Sequence, residues 1–204
     1  MKHIAIALAV AASSIECVAN DNIMNTLNTR QQDIVTVAAF EARGDMDGLA
    51  DAIGNALDNG IDISSLKEVF TQLYAYTGFP RSLNALGTLQ SVISKRSERG
   101  ICDNPGREAS PLPADYNALS KGTEVQTRLC GGTPFNYAFD AAEDYYLKAH
   151  LFGDIFERDI LTFAEREMAT IGALSALEGC ASQLKAHVSG TRNMGVTDDQ
   201  LHAI

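Results

Sequence analysis

The chain is short of basic side chains: 16 Lys and Arg stand against 26 Asp and Glu in 204 residues, a formal charge of -10. Phosphate backbones are bound by clustered cations, so no nucleic-acid partner is expected. Strand-like alternation is also missing, and the fold class read from the sequence is all-α. No zinc-ligand spacing, phosphate-cradling glycine loop or serine elbow occurs, so no metal or cofactor is expected. There are four cysteines, and none has a second cysteine three positions on. Proline is concentrated, with four of the five residues between Pro105 and Pro134. A 46% hydrophobic and 21% charged composition is that of an ordinary globular protein.

The start, "MKHIAIALAVAASSIECVANDN", has a basic tip at Lys2 and His3 and an apolar run from Ile4 to about Ile15. That run is too short to span a bilayer, so residues 1–20 are expected to be an export signal, a buried N-terminal helix being the alternative. Cys17 follows Glu16, where a lipid-modified cysteine wants a small residue. Removal of the leader implies a periplasmic or secreted protein with no membrane attachment, keeping Cys102, Cys130 and Cys180. Cys102 and Cys130 flank one Pro- and Gly-rich segment and are expected to pair, leaving Cys180 as a free thiol.

Two segments read alike. "QDIVTVAAFEARGDMDGLADAIGNALDNGIDISSLKEV" begins at Gln32, and "REMATIGALSALEGCASQLKAHVSGTRNMGVTDDQLHAI" begins at Arg166. Thr36 matches Thr170 and Ala39 matches Ala173; after a one-residue slip Leu49 matches Leu184, Gly60 matches Gly195 and Leu66 matches Leu201. Each predicts a helix, a break at Gly44 or Gly179, a second helix, then a turn and the start of a third. The organisation is therefore a first repeat over 21–100, an irregular connection over 101–135 with one short helix near Tyr116 to Leu119, and a second repeat over 136–204. The first repeat continues past its third helix start for about six further turns, whereas the second stops at "DDQLHAI". An open apolar groove is expected beside the second repeat, with Leu201 and Ile204 not fully buried.

The motifs "LKEVFTQLYAYTGFPRSLNAL", "PGREASPLP", "LKAHLFGDIFERDIL" and "EREMATIGALSALEGCASQLKAHV" occur in that order. Together they resemble the carboxymuconolactone decarboxylase family, above all its longer, two-repeat exported members. The resemblance runs from about Thr29 to the last residue. It implies a duplicated, alkylhydroperoxidase D-like helical unit that forms homo-oligomers. The same superfamily includes thiol peroxidases with a Glu, a Cys-x-x-Cys pair and a His. Cys180 stands at the first position of that pair and His187 at the histidine, but the second position is Gln183. Peroxide reduction by a dithiol needs a second thiol to resolve the sulfenic acid, so the dithiol route is disfavoured.

His187 is the first candidate for an acid/base group, because imidazole titrates near neutral pH. A buried histidine bonded to a backbone carbonyl is the alternative. Glu167 matches the family's acid at the start of its helix. Glu165 is the rival; two residues apart on a helix, only one of them can face His187. Both could instead serve only the helix dipole. Cys180, near a helix start, is a candidate thiol or a small buried side chain. His150 and Tyr76 are candidates for substrate binding, and core packing is the plainer role for each. Phe79 and Pro80 accompany Tyr76 in "YAYTGFP". In the first repeat Glu167 is replaced by Asp33, Cys180 by Asp45 or Met46, and His187 by Ala52, so one site per chain is expected.

The expected function is cofactor-free acid/base chemistry, decarboxylation or a related proton transfer, on a small carboxylate or lactone-like substrate. Two alternatives stand beside it: a thiol-dependent peroxidase using Cys180, and a helical oligomer that binds a small molecule without turnover.

Overall fold

A computed structural model describes residues 27–204; the leader expected over 1–20, and Cys17, lie outside them. The described residues form helices and no strand. The first repeat supplies α1 (Thr29–Arg43), α2 (Met46–Asp58) and α3 (Ile63–Glu98). The connection supplies α4 (Ala118–Leu129). A short α5 (Ala141–Tyr145) then runs into a π-helical segment (Tyr146–Ile155). The second repeat supplies α6 (Phe163–Ser175), α7 (Ala181–Asn193) and α8 (Asp198–His202).

Local signals place the repeat boundaries. Asn28 and Thr162 each cap their helix through the amide three residues on, and Gln31 and Glu165 each reach back to the cap amide. Such reciprocal caps satisfy donors that a helix start leaves open. Thr197 and Gln200 do the same for α8, while Asp62 caps α3 one way, accepting from the Ser65 amide. The turns match as well: Gly44 and Gly179 have φ of 73° and 77°, and Gly60 and Gly195 have 94° and 88°. These are left-handed conformations that favour glycine, so the aligned glycines do the same work in both halves. The third helices differ. α3 is interrupted at Gly78 (φ 79°, ψ 157°) and resumes with Pro80 near its new start, whereas α8 ends after five residues.

The two repeats dock through α1, α3 and α6. Ile34, Val37, Ala38, Leu66, Val69 and Phe70 pack with Ala169 and Ala173 of α6 in one apolar core. A polar cluster is buried inside this contact. The Arg166 guanidinium, fully buried, donates to Glu68 Oε1 (2.7 Å), Gln72 Oε1 (2.9 Å) and the Arg158 carbonyl (2.5 Å). Gln72 Nε2 donates to the Arg166 carbonyl (2.8 Å) and to Thr170 Oγ1 (2.9 Å). Arg158 Nε also reaches both Glu68 oxygens at 3.0 Å. Burial lowers the Arg166 pKa, and the bond to Glu68 and its charge offset part of that.

A second apolar cluster joins α4 to the π-helical segment through Val125, Leu129, Leu151, Phe152 and Phe156. The connection over 101–135, expected to hold one short helix near Tyr116 to Leu119, instead contains the twelve-residue α4. Gly122 hid its pattern. Val125, Gln126 and Leu129 form a buried stripe, and Gly122 extends that stripe where a Cβ would collide with the Lys148 carbonyl. The expected Cys102–Cys130 bridge is absent, and both thiols are free and exposed. The two cysteines are tied to different bodies. The Cys102 strip is clamped to α3 by Arg96–Asp103 (2.8 Å) and by Ile63 N–H to the Asn104 carbonyl (2.9 Å). The Leu129 carbonyl beside Cys130 accepts from Asn193 Nδ2 of α7 (2.7 Å).

The open groove expected beside the second repeat is not what the apolar space here forms, since most of its lining belongs to α1 of the first repeat. About 280 Å³ of mainly apolar space lies between α1 and the last residues, lined by Val35, Ala39, Phe40 and Ile204. Leu201 and Ile204 are half-buried and pack against the cluster of Leu27, Val35, Met168 and Val196. No described helix is long and apolar enough to cross a membrane.

Glu41 of α1 is fully buried. Its Oε1 accepts from Thr77 (2.8 Å), while Oε2 has no partner. Burial pushes its pKa up from 4.5 to about 7, against the Thr77 bond and the charge of Arg81. Between those values the folded chain keeps a proton that the unfolded chain has released. Stability therefore falls as pH rises from about 4.5 to about 7, and levels off above. The decline should be on the order of 3 kcal/mol, and Glu41→Gln should abolish most of it in urea unfolding at pH 5 and pH 8. Glu68→Ala, which strands the Arg166 charge, should cost roughly 3–5 kcal/mol in the same assay at pH 7.

Candidate active site

The second repeat builds a carboxylate–imidazole pair from two consecutive helices. Glu167 lies on the first turns of α6 with its side chain 1% exposed, and His187 lies midway along α7 at 15%. His187 Nδ1 is 2.9 Å from Glu167 Oε2. With the carboxylate accepting, Nδ1 carries the proton and Nε2 is left as the basic nitrogen. Gly190, one turn beyond His187, makes room for the acid. A Cβ there would stand 3.2 Å from Glu167 Oε2 and 3.6 Å from the Leu129 carbonyl, so α4, α6 and α7 converge at this point.

α3 adds a third group from the other repeat. The Tyr76 ring meets the His187 ring edge-on at 5.4 Å between centroids. Its hydroxyl is buried near Thr170 and Glu167 without a well-formed hydrogen bond. Burial raises its pKa strongly and the charge of Glu167 adds to that, so the phenol stays protonated and able to donate. Glu167 Oε1 is likewise buried and unpartnered. A buried donor and a buried acceptor, neither with a well-formed hydrogen bond, thus lie beside the imidazole. Buried polar groups in this state are rare and mark places where water or a ligand completes the bonding.

The sequence candidates separate cleanly. Glu167, His187 and Tyr76 come together. Glu165 turns away: it completes the α6 cap and binds Arg30 Nε at 2.6 Å. Burial would raise the Glu165 pKa, but the Thr162 amide and Arg30 outweigh it and hold it below the usual range. His150 sits on the π-helical segment with Nδ1 on Asp154 Oδ2 (2.9 Å) and its ring against Tyr74, not on the pair. Cys180 is the residue just before α7, at its N-cap position. Its thiol donates to the Leu174 and Leu177 carbonyls, each at 3.4 Å. Only a protonated thiol can make those contacts. Cys130, exposed at the end of α4, has its pKa raised by burial and by the charge of Glu167. Among the described residues no group of three or more His, Cys, Asp or Glu could hold a metal ion.

The first repeat has no such pair. Asp33 accepts from Asn59 Nδ2 at 3.1 Å, and Ala52 is buried in α2. Three supporting residues escaped the sequence reading: Arg166, Glu68 and Gln72. A signal for them was present, because Glu68, Gln72 and Tyr76 fall at four-residue spacing and share one face of α3. Gly190 gave no signal, since its role depends on a neighbour from α6.

Residues 145–204, which hold Glu167, Cys180 and His187, match the family model described as the carboxymuconolactone decarboxylase family. A search of curated proteins gave no match. The matched stretch takes in the end of α5, the π-helical segment and the whole of α6, α7 and α8. The match covers 60 of the 204 residues, all within the second repeat, and is a likeness of that segment to the family.

Proposed function

We propose that the protein is an enzyme of cofactor-free acid/base chemistry, decarboxylating or moving a proton on a small carboxylate or lactone-like substrate. His187 Nε2 is the proton-transferring atom, Glu167 orients the ring and offsets its charge, and the Tyr76 hydroxyl donates to the substrate. The observation that carries this reading is the 2.9 Å contact between His187 Nδ1 and the buried Glu167 carboxylate. A carboxylate behind an imidazole fixes its tautomer and favours the imidazolium that forms when Nε2 takes a proton. Loss of carbon dioxide leaves a carbanion-like centre that must be protonated, and an imidazolium can supply that proton.

The thiol reading draws less support. Cys180 spends its proton on two carbonyls, and Gln183 stands where a resolving cysteine would be. A thiolate, not a thiol, attacks peroxide. Self-association of the chain is part of the same proposal. Phe79 and Leu83 are 61% and 62% exposed on the second part of α3, which gives apolar surface for a second copy. Export, if it occurs, places the substrate outside the cytoplasm.

A panel of small lactone and keto carboxylates, assayed for labelled bicarbonate by carbon-13 NMR, provides the test. His187→Ala should lower turnover by ~10²–10⁴-fold, while Ala52→His in the first repeat restores none of it. A folded His187→Ala protein with most of its activity would reject the assignment. Cys180→Ser should keep activity within about threefold, since a hydroxyl keeps one donor for the nearby carbonyls; its loss would favour the thiol reading.

A further inference from the structure

Beside the end of α4 lies a cleft of about 520 Å³, opened by Arg128, Phe156, Phe163 and Met194 and floored by residues 157–162. That is within the range of small-molecule sites. The cleft follows the same helix faces as the acid/base pair. Phe163 precedes Glu167 by four residues on α6, and Met194, the residue that ends α7, follows His187 by seven. Both spacings keep residues on one helix face, so the cleft begins roughly 6–10 Å along the helices from the pair. α4 ties the two regions together, because Arg128 is next to Leu129, whose carbonyl abuts Gly190 and accepts from Asn193.

Charge in the cleft is uneven. Arg158 is committed to Glu68 at 3.0 Å. Asp159 is held by Arg107 (3.0 Å) and by Ser110, whose amide and hydroxyl donate to it at 2.9 and 2.7 Å. Those bonds keep Asp159 ionised far below the usual carboxylate range. Glu157 acts on Tyr116 and Lys121, across the surface towards α4. Arg128 alone of this group has no carboxylate. Among the described residues it makes no ion pair and no side-chain hydrogen bond, and its guanidinium lies over the Phe163 ring at 5.3 Å from the centroid. Stacking holds a guanidinium flat and leaves its N–H edge free, the geometry that binds a carboxylate with two parallel bonds.

We propose that Arg128 anchors a carboxylate-binding subsite in this cleft, with Phe163 and Met194 holding the apolar body of a small organic acid. Resting on the function proposed above, the subsite gives that substrate a carboxylate remote from the reacting one. A planar acid with an apolar body fits better than a phosphate, because aromatic and thioether surface borders the cation. Arg128 positions substrate; it does not touch the reacting atoms.

Direct binding tests the proposal without turnover. Benzoate is titrated into the full chain and followed by protein NMR, with benzyl alcohol as the uncharged control and inorganic phosphate as the rival anion. Benzoate should saturate, with shift changes centred on Phe163 and Met194. Arg128→Gln should weaken it at least tenfold, and Arg128→Lys should recover part of that loss. Benzyl alcohol should be indifferent to both substitutions. His187→Ala should leave benzoate affinity within twofold, so the subsite can stand even if the acid/base assignment falls. Unchanged affinity in Arg128→Gln, absence of saturation, phosphate binding as tight as benzoate, or loss of benzoate binding in His187→Ala would each overturn the proposal.

Discussion

The ion-paired cluster of Arg166, Glu68, Gln72 and Thr170 holds the rest of the structure in register. A guanidinium removed from water is costly, and only well-placed acceptors compensate for it. Glu68, Gln72 and the Arg158 carbonyl serve both terminal nitrogens, leaving only the buried Nε without a partner. The acceptors from α3 belong to the first repeat, and the cation belongs to the second. A slip of α3 by one residue against α6 would leave a charge unpaired in a dry interior, so the helices have one permitted alignment. In that alignment Tyr76, two turns along α3 from Glu68, arrives at the His187 ring. The site is thus composite, although its acid and its base both lie in one repeat.

The duplication shows what was kept and what was lost. Caps, left-handed glycines and apolar stripes recur in both halves, since each is needed to turn a chain into stacked helices. The paired carboxylate and imidazole do not recur. Ala52 fills the histidine position with a small apolar side chain, and Asp33 is drawn to Asn59. Glu41, buried and half-partnered in the first repeat, has no acidic equivalent in the second, where Ser175 stands. The halves share a scaffold and differ in where they hold buried charge.

Local rules made much of this legible in the sequence. Helix periodicity, capping residues and aligned glycines placed α1, α2, α6 and α7, because those signals act within a few residues. Glu167 and His187 came from the family resemblance, and the fold brings them within 2.9 Å of each other. What escaped depends on contacts between distant segments. α4 was hidden because one of its buried positions is Gly122, which counts as a helix breaker in isolation and as a close-packing residue only against Lys148. The choice between Glu165 and Glu167 was open for the same reason: the capping box and Arg30 decide it, and Arg30 is 135 residues away. The Cys102–Cys130 pairing read as plausible by proximity in sequence, and it fails because each cysteine is moored to a different helix.

The Glu68–Arg166 contact also bears on how the chain is made. The two residues are 98 positions apart, and Glu68 leaves the ribosome first. At typical synthesis rates of ~5–20 residues per second, α3 waits roughly 5–20 s for its cation. During that interval the Glu68 carboxylate has no guanidinium to meet, and burying it would carry the full desolvation penalty. The face of α3 that holds Glu68, Gln72 and Tyr76 must therefore stay wet while α1 and α2 are already able to pack. In a nascent chain that surface is completed only once α6 supplies the Arg166 guanidinium.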